Sequence, residues 1–178
     1  MTRNDSEIRV IEGYPFPSHL LYYINDLNGG MWASLLPQPN VCRLGFTSVV
    51  ASKLGRITSV DWSETDSLKM QEIFLKLKTD MYQLVVFGPL VGHIVERNPL
   101  WTKSEVQLTV ENTYTTHWLL DVQLVGDTPT TDSGWLNGVE DERLSRYVRG
   151  IVRSEKLLAS GCCPDLRRHS TVTRRRSR

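Results

Sequence analysis

His93 and His117 sit in stretches that read as strands, with Asp121 close by, and are the first residues to weigh for chemistry. Facing each other across a sheet, two imidazoles and a carboxylate could move a proton or bind a metal. A structural role is the commoner one for strand histidines. Cys162, Cys163 and His169 offer three zinc-type ligands, one short of a closed site and without the paired C-x2–4-C spacing. The carboxylates of Glu140, Asp141 and Glu142 stand where a helix should begin, and favourable placement against its dipole accounts for them. The sequence holds no glycine-rich dinucleotide fingerprint, no phosphate-binding P-loop, no H-E-x-x-H and no G-x-S-x-G. The expectation is a protein with no catalytic residues, no metal and no cofactor, and so no enzyme.

Charge is more informative. Of 178 residues, 21 are basic and 20 acidic, for a net charge of +1. The last twelve, RRHSTVTRRRSR, contain six arginines and no carboxylate: Arg167, Arg168, Arg174, Arg175, Arg176 and Arg178. Residues 1–166 therefore hold 15 basic against 20 acidic groups, a net −5. An acidic body with a basic end points to a polyanionic partner for that end, either RNA or an anionic membrane surface. A solubilising tail or a nuclear-import signal would look the same. Ser170 and Ser177 follow arginines at the spacing basophilic kinases favour, and phosphate there would cancel much of the positive charge. Cys162 and Cys163, just before the basic run, are candidates for palmitoylation. Three cysteines do not make a disulfide framework, which favours reduced thiols and an intracellular setting. The first residues lack the apolar core of a signal peptide, and no apolar run approaches a membrane span.

The elements that would position these residues read as follows. SEIRVI is a short strand, broken by the prolines of EGYPFPS. HLLYYINDL reads as a helix stopped by Gly29 and Gly30, and VCRLGFTSVVASKLG as apolar and ambiguous, with a lean to helix. RITSVDW is a strand. Residues 66–78 place Met70, Ile73, Phe74 and Leu77 at helical spacing, which predicts an amphipathic helix. MYQLVVF and VGHIVE read as strands. SEVQLTVE and THWLLDVQLV alternate apolar with polar residues, and ENTYT between them predicts a hairpin. GDTPTTDSG is a polar loop, followed by a long helix from about 138 to 159, with Asn137 and Glu140 as a capping pair. The predicted fold class is α+β: a central antiparallel sheet flanked by helices, one globular domain over 1–164, and a disordered basic tail over 165–178. Trp32 and Trp135 fall in loop-like contexts, where a ring is either packed on the body or available for self-association or membrane contact.

The succession of YPFPSHLLYYINDL, CRLGFTSVVAS, SEVQLTVE and THWLLDVQLV resembles the rhabdovirus matrix proteins, over about residues 14–125. The plant-infecting type is favoured, because the chain begins MTRNDSEIRV, without a lysine-rich arm or proline-tyrosine motif. The resemblance implies a structural, self-assembling virion protein that oligomerises with itself, binds the viral nucleocapsid or RNA, and associates peripherally with membrane. Its expected location is the virion and host cytoplasm, with the nucleus accessible through the basic tail. The alternatives are an accessory or cellular adaptor that binds RNA or acidic lipid through the tail, and an enzyme assembled around His93, His117 and Asp121.

Overall fold

A computed structural model describes residues 7–24, 30–102, 105–138 and 142–159. In chain order its elements are β1 (Ile8–Ile11), β2 (Tyr14–Pro17), β3 (Leu21–Tyr23), β4 (Met31–Leu35), β5 (Val41–Phe46), α1 (Ser48–Leu54), β6 (Arg56–Trp62), β7 (Ser67–Leu68), β8 (Ile73–Thr79), β9 (Gln83–Phe87), β10 (Gly92–Arg97), β11 (Val106–Gln107), β12 (Leu120–Leu124), β13 (Leu136–Asn137) and α2 (Glu142–Ala159). The strands form a β1–β2 ribbon, a seven-stranded sheet in the order β13-β3-β4-β5-β12-β10-β7, and a four-stranded sheet in the order β11-β6-β8-β9. This corrects the α+β expectation. The described residues hold far more strand than helix, in three sheets, with two α-helices.

The largest correction is at residues 66–78. The helical spacing of Met70, Ile73, Phe74 and Leu77 coincides with a second pattern, Leu75-Lys76-Leu77-Lys78, which has a period of two. The second pattern prevails, because β8 has a partner strand on each side, β6 and β9. Leu75 and Leu77 are fully buried, whereas Met70 and Ile73 are 44% and 46% exposed, which a buried helical stripe forbids. HLLYYINDL contains a strand, β3, held between β4 and β13. There the Tyr22 ring meets Phe16 edge-on, with centroids 5.3 Å apart. VCRLGFTSVVASKLG divides at Thr47 into the strand β5 and the short helix α1, which Gly55 ends at φ 53° with its N–H on the Ala51 carbonyl.

The hairpin expected around ENTYT does not form. β11 pairs with β6, whereas β12 pairs with β5 and β10, so the segment between them crosses from one sheet to the other. Buried bonds fix that crossing. Thr113 Oγ1 donates to the Phe46 carbonyl at 2.6 Å, and Trp101 Nε1 and the Asn98 amide both donate to the Trp118 carbonyl at 2.8 Å. α2 begins at Glu142 while Asn137 lies in β13, which removes the expected capping role of Asn137; Glu140 is outside the described residues.

The two large sheets face each other across one apolar core. Leu44, Phe46, Leu120 and Val122 come from the larger sheet, and Ile57, Leu75, Leu77 and Val86 from the smaller. A second cluster lies on the other side of the larger sheet. There α2 lays Leu144 and Val148 against Ile11, Phe16, Tyr22 and Trp32. α1 serves both, with Val49 in the second cluster and Val50, Ala51 and Leu54 in the first.

Candidate functional site

The β8–β9 hairpin carries the most exposed large apolar side chain among the described residues, Met81 at 88% exposure. Asp80, Met81 and Tyr82 join the strands, and Thr79 organises the turn. The Thr79 N–H donates to the Tyr82 carbonyl at 2.9 Å. Thr79 Oγ1 accepts from the N–H groups of Met81 and Tyr82 at 3.2 and 3.1 Å, and donates to the Tyr82 carbonyl at 3.1 Å. The apex is also tied to the body. Tyr82 Oη donates to the Lys53 carbonyl on α1 at 2.7 Å, and Thr58 Oγ1 on β6 donates to the Lys78 carbonyl at 3.2 Å. Arg56 lies 3.8 Å from Asp80 and makes a closer pair with Glu105, at 2.5 Å. That hydrogen bond and charge hold the exposed Glu105 carboxyl below its ordinary range.

Lys76 and Lys78 alternate with the buried Leu75 and Leu77, so both extend from the outer face of the smaller sheet. Lys76 is opposite Asp61 on β6 and Val85 on β9, whereas Lys78 is opposite the uncharged Ser59 and Gln83. The hairpin therefore has an apolar apex braced against α1 and a basic outer flank.

Elsewhere, a cavity of about 810 Å3 is lined by Ser18, His19, Ser34, Cys42, Thr130 and Asn137, among others. Cys42 and His19 line the same space, but the thiol is fully buried and burial pushes it up to about 12. It is a neutral thiol, weakly bonded to the Arg43 carbonyl at 3.8 Å, and not a nucleophile at neutral pH.

The residues singled out in the sequence are not brought together. His93 is exposed on β10 opposite Gln123, whereas His117 lies before the far end of β12, with Nδ1 2.9 Å from Thr116 Oγ1. Asp121 belongs to neither: Arg43 grips it with Nε and Nη2 at 2.7 and 2.8 Å. No group of three or more metal-ligand residues occurs among the described residues. Trp32 and Trp135, for which the sequence left open packing on the body or availability for self-association or membrane contact, are each only 2% exposed. Trp32 is a strand residue packed over Gly45, and its indole N–H donates to the Thr113 carbonyl at 3.2 Å. The Trp135 ring lies 5.3 Å from that of Tyr23. Both are core side chains. The six arginines, Ser170, Ser177, Cys162, Cys163 and His169 lie outside the described residues.

The sequence reading passed over the hairpin because it assigned residues 66–78 to a helix. The signal was present in FLKLKTDMYQLVVF: strict alternation, then a short turn, then an apolar run.

No family model and no curated protein matches the chain. Among solved structures, a glycine cleavage system H protein from Mycobacterium marinum matches with a TM-score of 0.50 at 21% identity, over 82% of this chain and 98% of that one. At that identity the likeness concerns the fold. It overturns the resemblance to rhabdovirus matrix proteins, and with it the virion-assembly role. Order and texture of short apolar segments, without a diagnostic motif, had carried that resemblance. Among the described residues no helix is long and apolar enough to cross a membrane.

Proposed function

We propose that this chain is a non-catalytic protein-docking module whose β8–β9 hairpin is the contact element. The carrying observation is Met81, 88% exposed at an apex fixed by Thr79 and anchored through Tyr82 to α1. A flexible tip leaves an apolar side chain in water at little consequence. A tip braced by this many bonds loses little further entropy on binding, so its contact area converts efficiently into affinity. Methionine adapts its unbranched thioether to a partner surface. Tyr82, 42% exposed beside it, adds an amphipathic ring of the kind enriched in interface centres.

A photocrosslinking amino acid placed at position 81 tests this, with position 95 (Val95, 57% exposed on β10) as the control. Position 81 should capture a defined protein in extracts of the expressing cells. Excess wild-type chain should abolish capture, and excess Met81→Lys should not. Indistinguishable capture from the two positions, or equal competition by Met81→Lys, overturns the reading.

Lys78 favours a second reading, as the attachment point of a covalently carried group. It is exposed, next to the turn-organising Thr79, and has no ion pair among the described residues. The neighbour of similar fold is, by name, a component of the glycine cleavage system. Intact mass of the chain isolated from its own cells decides: added mass that disappears in Lys78→Arg supports a carrier, and the bare mass excludes it.

A further inference from the structure

The two large sheets have four edges. Three are strands of two residues each, β13, β7 and β11, too short to recruit another chain. The fourth is β9, five residues long, Gln83-Leu84-Val85-Val86-Phe87, with no charge, no proline and no partner strand except β8. Natural proteins protect edges of this kind with charges, prolines or bulges. β9 has no charge and no proline, and the one irregularity in its ladder lies at its Phe87 end, where the register with β8 shifts between Ile73 and Leu75.

The ladder identifies which backbone groups are free. Thr79 bonds Tyr82 across the turn, and the register pairs Leu77 with Leu84 and Leu75 with Val86. Antiparallel pairs alternate between bonded and non-bonded, so Leu84 and Val86 bond to β8 whereas the N–H and C=O groups of Gln83 and Val85 point away from it. No other bond to Gln83 or Val85 backbone occurs among the described residues. Beyond Phe87 the edge closes: the Gly88 N–H donates to Glu72 and its carbonyl accepts from Gln71.

We propose that the β9 edge takes up an extended segment of a partner protein as a fifth strand of the smaller sheet, the segment alternating apolar with acidic residues. The proposal rests on the docking reading of the hairpin and specifies its mode. The apolar half of the pattern follows from Leu84, which packs on the main core yet is only half-buried, so an inward-facing apolar side chain on the added strand would complete its cover. The acidic half follows from the outer face. There Lys76 and Lys78 stand one strand away, behind the uncharged Val85 and Gln83, and Asp61 opposes only Lys76. Main-chain bonds supply affinity in such additions, and the alternate side chains supply selectivity.

The test uses the full chain and three capped octapeptides: four Val-Glu repeats, four Val-Lys repeats, and the Val-Glu peptide with two internal prolines. Amide exchange is followed by NMR. The Val-Glu peptide should slow exchange of the Gln83 and Val85 amides, and the proline peptide should leave them unchanged. Val85→Pro removes an N–H that faces away from β8, so it should fold, and the Val-Glu peptide should no longer slow exchange of the remaining Gln83 amide. Lys76→Glu with Lys78→Glu should transfer the preference to the Val-Lys peptide. Unchanged amides, equal protection by the two charged peptides, or protection that grows with protein concentration and no peptide, which would assign the edge to a second copy, each overturn the proposal. Crosslinking from position 81 with unaffected Gln83 and Val85 amides defeats the strand addition alone. Failure of that crosslinking defeats the docking reading itself.

Discussion

Arg43 and Asp121 face each other across the β5–β12 ladder and meet as a two-point fork, Nε to Oδ1 at 2.7 Å and Nη2 to Oδ2 at 2.8 Å. The guanidinium also lies 4.0 Å from the centre of the Trp118 ring. The pair is asymmetrically shielded, with the Arg43 side chain 30% and the Asp121 side chain 7% exposed. Planar geometry and ring stacking make this an arginine site in which lysine would not substitute. Asp121 is therefore a structural carboxylate, committed to holding two central strands in register.

Asp121→Asn should destabilise the chain by about 2 kcal/mol, because it leaves a half-buried guanidinium without its counter-charge. Replacing both partners, Arg43→Met with Asp121→Leu, should cost less than Asp121→Asn alone. Urea unfolding monitored by tryptophan fluorescence measures both, and a double variant weaker than the single one contradicts this account.

Gly45 permits Trp32 to lie flat on β5; a Cβ built there would collide with the indole. Gly45→Val should cost about 3 kcal/mol through overpacking, and should dislodge the indole from the Thr113 carbonyl. Loss of fine structure in the near-ultraviolet circular dichroism, with far-ultraviolet signal retained, is the expected signature.

Stability should decline at alkaline pH. Burial raises Cys42 from the ordinary 9.0 to about 12, desolvation raises Tyr114 to about 12, and burial raises Tyr22 still further. For each, the folded chain favours the neutral form. The stabilisation is therefore complete below the unfolded pKa and is lost as pH rises towards the folded one. Between pH 9 and 10 the thiol leads, with a slope of up to about 1.4 kcal/mol per pH unit. Cys42→Ala should flatten that part of the urea-midpoint profile and leave the tyrosine decline above pH 10.

Thr79→Val keeps the shape of the side chain and removes the oxygen that serves two N–H groups and the Tyr82 carbonyl. It should cost about 1–2 kcal/mol, and amide exchange at Met81 and Tyr82 should accelerate well beyond that of the strand interior. Unchanged exchange at these two amides would show that the brace lies elsewhere.

Several strands were legible from local pattern. RITSVDW, MYQLVVF, VGHIVE and THWLLDVQLV each contain one, because alternation or an apolar run encodes a strand wherever it pairs. The long helix expected over about 138–159 was legible too: α2 runs Glu142–Ala159 and buries Leu144 and Val148. The hairpin at its centre was not. Met70, Ile73, Phe74 and Leu77 satisfy a helix while Leu75-Lys76-Leu77-Lys78 satisfies a strand, and only partners distant in the chain decide between them. SEVQLTVE and THWLLDVQLV likewise look like one hairpin until each finds a different neighbour.

Composition by itself established the acidic body, the arginine-rich end and the apolar content of a folded core. Tertiary structure decided the rest. It buried Trp32 and Trp135, separated His93 from His117, bound Asp121 to Arg43, and exposed Met81 beside the uncharged β9 edge. The physical reason is that charge and hydropathy are properties of residues, whereas exposure, pairing and edge position are properties of neighbours, and in a sheet protein those neighbours are remote in sequence.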